Sequence, residues 1–188
     1  MEEHSRNAAD LISRVRDHYL EQFLGFVRIQ RERWPTGHAE VKFELSEQSG
    51  LFRRLYCTDF VAKDGDNLIV REMQPDRILT FDPFTYEVRG VPVVIERLIW
   101  DDIEVHHDAV TLDNQALELW FDYWFDPDDA RLDPASDIGG IVHSLSIGSR
   151  KLNADLGTAE PEALRHTLEL IAKAGATNIR VTSGREAE

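Results

Sequence analysis

The chain has 188 residues, 42% hydrophobic and 9% aromatic, with 21 basic and 35 acidic side chains and a formal net charge of −14. That length suits one domain with its own core, the apolar content excludes global disorder, and no apolar run is long enough to cross a membrane as a helix. The single cysteine, Cys57, excludes an internal disulfide and a cysteine-based zinc site, and the lack of a basic stripe argues against a nucleic-acid partner.

The start, MEEHSRNAAD, is polar and acidic and lacks the apolar stretch of a secretory signal, so a cytoplasmic location is expected. Residues 5–33 then read as one long helix. Ile12, Val15, Tyr19, Phe23 and Val27 recur at spacings of three and four, and Pro35 and Gly37 end the run. A helix of that length invites a break near Gly25 or an overhang that pairs with a second copy, making a homodimer through this helix a candidate assembly.

From residue 38 the period changes to two. Strands are expected over 41–45, 51–60, 68–73, 78–81, 86–89, 91–100, 103–107 and 116–125. Turns fall at Gln48-Ser49-Gly50 and Asp64-Gly65-Asp66-Asn67, and a bulge or bend at Gly90 and Pro92. Many short alternating strands favour a curved, mostly antiparallel sheet over 38–126. An acidic loop follows over 126–140. A β-β-α-β unit closes the chain over 141–182, with Pro161 in the first turn of its helix and Gly175 as its C-terminal cap, before a charged tail. The expected class is α+β: a long N-terminal helix, about seven to nine strands and the C-terminal β-β-α-β unit, in a single domain over 1–188.

The acidity is regional. Residues 61–138 carry nineteen carboxylates against six cations, and 101–137 alone hold twelve against one, Arg131. Placed on a strand, Glu118, Trp120, Asp122, Trp124 and Asp126 share a face that alternates carboxylates with indoles. Indole faces attract guanidinium or ammonium, and carboxylates add charge-assisted hydrogen bonds. These five are the candidate binding residues for a basic protein or cationic ligand. The competing expectation is that Trp120 and Trp124 pack beneath a helix.

Asp102, Glu104, His106 and Asp108 share one face of the 103–107 strand, and the loop adds Asp128 and Asp129. Glu104, His106, Asp128 and Asp129 are therefore candidate ligands for a divalent cation, with Asp122 and Asp126 as donors from a neighbouring strand. No other cofactor is expected. The calcium-loop template fails for want of a glycine at its sixth place and a glutamate at its twelfth.

Phosphate loops, nucleophile elbows, H-E-x-x-H and dinucleotide fingerprints are missing, which leans against an enzyme. His143 and Ser144 fall on opposite faces of a strand and cannot pair as base and nucleophile. His143, His166 and His18 read as structural. Asp155, on a strand just before the turn into the last helix, is the most suspicious single carboxylate, although nothing adjacent in sequence completes a site around it. Glu96, within an apolar strand, is a second candidate if buried. The leading expectation is a soluble, non-catalytic binding protein whose acidic aromatic surface receives a basic partner. Small acidic bacterial proteins that neutralise basic toxins or nucleases have this profile. A metal-dependent enzyme or small-ligand binder and a homo-oligomeric structural module are the alternatives.

Overall fold

A computed structural model describes residues 2–133 and 135–185, with side chains from residue 7 onward. Met1, Pro134 of the acidic loop and 186–188 of the charged tail lie outside the described residues.

Helix α1, Glu2–Arg33, runs unbroken through Gly25. Ile12, Val15, Tyr19, Phe23 and Val27 are buried along one stripe. Beyond it come β1 (His38–Glu44), a 3-10 turn at Phe52–Arg54, β2 (Leu55–Asp64) and β3 (Asn67–Arg71). These three strands form a small antiparallel sheet in the order β1-β2-β3.

The second sheet has six strands: β4 (Phe84–Val88), β5 (Val91–Ile95), β6 (Ile103–His107), β7 (Ser144–Ile147), β8 (Lys151–Asp155) and β9 (Ile179–Thr182). Their order is β4-β5-β9-β6-β8-β7. Only β5 and β9 pair in parallel; the other pairs are antiparallel. Strand β6 pairs antiparallel with both β8 and β9, so those two run parallel on either side of it. Helix α3, Glu162–Lys173, makes the crossover between them and completes the expected β-β-α-β unit. Among the described residues nine strands and three helices give the expected α+β class, with the strands divided between two sheets. Among the described residues no helix is long and apolar enough to cross a membrane.

Several local expectations are corrected. Residues 116–125 are not a strand but lie in helix α2, Asn114–Phe125. Aromatic residues suggest strand by propensity, yet Asp113 caps the helix by accepting from the amides of Gln115 and Ala116. The buried set Leu117, Trp120, Phe121, Trp124 and Phe125 then recurs at helical spacing. Residues 78–81 join no strand, and Leu79 and Phe81 pack against the core as coil. Strand β2 begins at Leu55 rather than Leu51, because the 3-10 turn precedes it, and β5 stops at Ile95. Arg89 and Gly90, both at positive φ, form a two-residue hairpin turn between β4 and β5.

One buried cluster runs from α1 through both sheets to α2 and α3. Where the sheets meet, the Cys57 amide of β2 donates to the His143 carbonyl at 2.8 Å, and the His143 amide donates to the Asp155 carbonyl at 2.9 Å. This junction places His143 at the centre of the site.

Candidate functional site

The side chain of His143 is fully buried. Its Nε2 lies 2.9 Å from Glu40 Oε1 of β1. Its Nδ1 lies 3.0 Å from Asp59 Oδ1 of β2 and 3.9 Å from Asp155 Oδ2 of β8. Asp59 is therefore the nearer partner of Nδ1, and Asp155 stands behind it. Two neighbouring strands of the small sheet and one strand of the large sheet thus deliver three carboxylates to one imidazole.

The backbone is shaped around this contact. Glu40 sits at φ 51°, the left-handed region, where a non-glycine residue costs about 1–2 kcal/mol. It stands opposite Asp59 at an interruption in the β1–β2 ladder, between the pairs Ala39↔Phe60 and Val41↔Thr58. The Glu40 carboxylate accepts from Thr158 Oγ1 at 2.5 Å and from the Gly139 amide. Gly157, at φ 50°, lies against the ring: a Cβ there would meet His143 Cδ2 at 2.2 Å. Buried Arg16 of α1 holds the same loop, donating to the carbonyls of Thr158 and Ala159 at 3.1 and 3.3 Å.

Burial alone would make His143 less basic, but the carboxylates of Asp155, Asp59 and Glu40 outweigh it and hold the imidazole well above its ordinary value, as a cation. Cys57 adds no charge, since burial pushes its thiol up to about 12. Burial also raises Asp155 to about 7, against the opposing pull of His143, with Asp101 and Asp59 adding to the rise. Asp101 is raised by burial as well, partly offset by Arg185.

Asp155 keeps a quarter of its side chain accessible, and that part opens into a cleft of about 310 Å³. Asp59, Glu72, Asp101, Asp102 and Asp155 line the cleft with Tyr19, and among the described residues Arg185 is its one cation. Glu72 accepts from Tyr56 Oη at 2.5 Å and from the Thr58 hydroxyl. Asp59 Oδ2 accepts from the Met73 amide at 2.6 Å. A carboxylate that titrates near neutrality, beside a buried cation and open to solvent, can bind a cation with release of a proton or transfer a proton itself.

The residues singled out in the sequence lie elsewhere. On a helix, Trp120 and Trp124 share a face with Leu117 and Phe121, and all four are buried. Trp120 Nε1 donates to the Ala163 carbonyl of α3 at 3.3 Å. Glu118 is exposed, Asp122 pairs with Arg53, and buried Asp126 ends α2 at φ 52°, accepting from the amides of Ala130 and Arg131. The five do not form one face. Glu104 and His106 are neighbours at 3.2 Å, but Glu104 also accepts from Lys151 at 2.9 Å, and Asp122 and Asp126 are not on an adjoining strand. Asp129 pairs with Lys42, and Asp128 is exposed. Among the described residues no three His, Cys, Asp or Glu side chains are grouped to hold a metal ion. Glu96 is exposed just beyond β5 and pairs with Arg180 of β9 at 3.3 Å.

Of the twelve carboxylates in 101–137, all but Glu118 and Asp128 have a described hydrogen-bond or ion-pair partner, so most of the regional charge is engaged locally. The α1 stripe faces the protein's own core and leaves Leu24 and Ile29 exposed. Sequence reasoning found Asp155 but missed His143, Glu40, Asp59 and Asp101. No protein-family model, no curated protein and no solved structure matches the chain.

Proposed function

We propose that this protein is a binding module that receives a cationic group of a basic protein partner in the cleft floored by Asp59 and Asp155. The observation that carries the reading is the convergence of five carboxylates on a cleft of about 310 Å³ lined, among the described residues, by a single arginine. The acidity of the chain as a whole adds long-range attraction for a basic partner and predicts salt-sensitive association. A cation next to Asp155 favours its ionised form, so binding near neutral pH expels a proton.

Calorimetric titration with a decapeptide of mixed arginine, lysine and glycine tests this. Asp155→Asn and Asp102→Asn should each weaken binding about tenfold, the loss of a charge-assisted contact worth about 1.4 kcal/mol or more. Glu118→Gln should leave it unchanged, and the apparent enthalpy should vary with the ionisation enthalpy of the buffer. Binding that ignores salt and both cleft substitutions would refute the reading.

A second reading is favoured by Asp155 itself. A carboxyl group near pH 7 in an accessible cleft is suited to general acid–base chemistry on a bound ligand. It predicts turnover of a ligand that binds there, with a rate that follows the Asp155 titration, and Asp155→Asn would abolish turnover.

A further inference from the structure

We infer that the outer face of α2 and α3 is an interface between two copies of this chain, in which α2 of each copy packs along α3 of the other. The face is separate from the cleft at Asp155, since no residue lines both.

Topology sets the direction of the two helices. Strand β8 pairs antiparallel with both β6 and β7, so β6 and β7 run parallel and α2 is the crossover between them. Helix α3 is the crossover from β8 to β9. Because β6 and β8 are antiparallel, the helices that return from them are antiparallel too. They lie side by side: Trp120 Nε1 of α2 donates to the Ala163 carbonyl at 3.3 Å, and the Trp124 ring lies 5.7 Å from that of His166. At the opposite end, Asp108 accepts from the amides of Thr177 and Asn178, which ties the approach to α2 to the exit from α3. Asp113 and Lys173 therefore share one end of the helix pair, and both line the groove between the helices.

That groove holds about 520 Å³. Buried Trp120 and Trp124 line its base, and Leu170 and Ala174 line its α3 wall. Its α2 wall carries Leu119 and Tyr123, one helical turn apart, which keep 66% and 53% of their surface exposed. A two-fold axis along the groove brings this apolar ridge onto Leu170 and Ala174 of the other copy and makes four packed helices.

Charge selects both the occupant and the arrangement. Helix α2 carries Glu118 and Asp122, is capped by Asp113, and contains no basic residue. Packing α2 on its own copy would set three carboxylates against three, in a chain already at −14. Packing it on α3 sets Asp113 of each copy beside Lys173 of the other, because both residues stand at the same end of the axis. Lys173 is exposed and, among the described residues, has no ion-pair partner. Asp113 caps α2 through Oδ1 alone, which leaves Oδ2 for the lysine. Two reciprocal ion pairs result, and α2 keeps the antiparallel dipole arrangement with the second α3 that it has with its own.

Sedimentation equilibrium on the full chain should show a monomer–dimer equilibrium. Leu119→Glu should weaken the dimer at least about hundredfold by placing a charge in the apolar contact. Ile29→Glu, at a similarly exposed apolar position on α1, should leave the equilibrium unchanged. Asp113→Asn, which keeps a capping oxygen, and Lys173→Gln should each weaken association about fivefold, and the double variant no further than either alone. In the unaltered protein, nuclear Overhauser contacts in a mixed-isotope sample should join Leu119 of one copy to Leu170 of the other, a readout that needs no variant. A chain that stays monomeric at millimolar concentration overturns the interface, as does a dimer broken by Ile29→Glu and not by Leu119→Glu. Contacts from Leu119 to Leu119 across copies overturn the α2-on-α3 arrangement. A monomer whose Leu119 and Tyr123 resonances shift only when an amphipathic peptide is added overturns the second copy as the occupant.

Discussion

Two groups of carboxylates in this molecule respond to their surroundings in opposite directions. In the acidic segment, hydrogen bonds from Thr177 and Asn178 pull Asp108 down to about 2, and Lys151 holds Glu104 below its ordinary value. Around His143, burial drives Asp155 up to about 7 and raises Asp101. The first group is dense in sequence and neutralised one residue at a time by local donors. The second joins Glu40, Asp59 and Asp155, far from that segment in sequence, to Asp101 and Asp102 at its very start, and is dense in space. Beyond Asp101 and Asp102 the high local count of acidic residues marks surface pairs and caps, while the concentration of charge that can act on a partner forms only through folding.

The largest test of this contrast removes the central cation. His143→Leu leaves Glu40, Asp59 and Asp155 facing one another inside the protein and should destabilise it by about 3–5 kcal/mol. Trp124→Phe, an equally buried position in the acidic segment, keeps most of its volume and should cost no more than about 1.5 kcal/mol. Urea denaturation measures both, and similar losses would erase the distinction.

The pH dependence of stability sharpens it next. Asp155 binds its proton more tightly in the fold than in the unfolded chain. Its contribution is complete below an unfolded value of 3.8 and is lost as pH rises through about 7. His143 acts in the same direction: its contribution is complete below 6.5 and is lost as pH rises through its elevated folded value. Asp108 has the opposite sign and is lost only as pH falls toward about 2. Urea midpoints should therefore fall from pH 5 to pH 8, and Asp155→Asn should flatten that fall; a midpoint that rises over the same range would contradict the cluster. The smallest effect is expected at the surface of α2, where Glu118→Gln should change stability by no more than about 0.5 kcal/mol. A larger loss would show a role for Glu118 beyond solvation.

The periodicities of α1 and the C-terminal β-β-α-β unit were legible because each buries one clear face, through Ile12 to Val27 and through Leu164, Leu168 and Ile171. Residues 116–126 were misread because the same letters satisfy both periods: Leu117, Phe121 and Phe125 belong to the inward set of a strand and of a helix alike. The cap at Asp113, rather than the aromatic content, decides between them. Asp155 could be suspected from its place before a helix. Its partners could not, because Glu40 reaches His143 only through a left-handed backbone that no pattern of residue types announces.

The hydrogen bond from the Cys57 amide to the His143 carbonyl has a consequence for how the cleft meets a ligand. It fastens the small sheet, which carries Glu40 and Asp59, to the strand edge that carries the imidazole and Asp155. Swinging one sheet from the other would pull apart buried opposite charges, so hinge opening is strongly resisted. The floor of the receptor is therefore preorganised, and the ordering that accompanies association falls on the ligand.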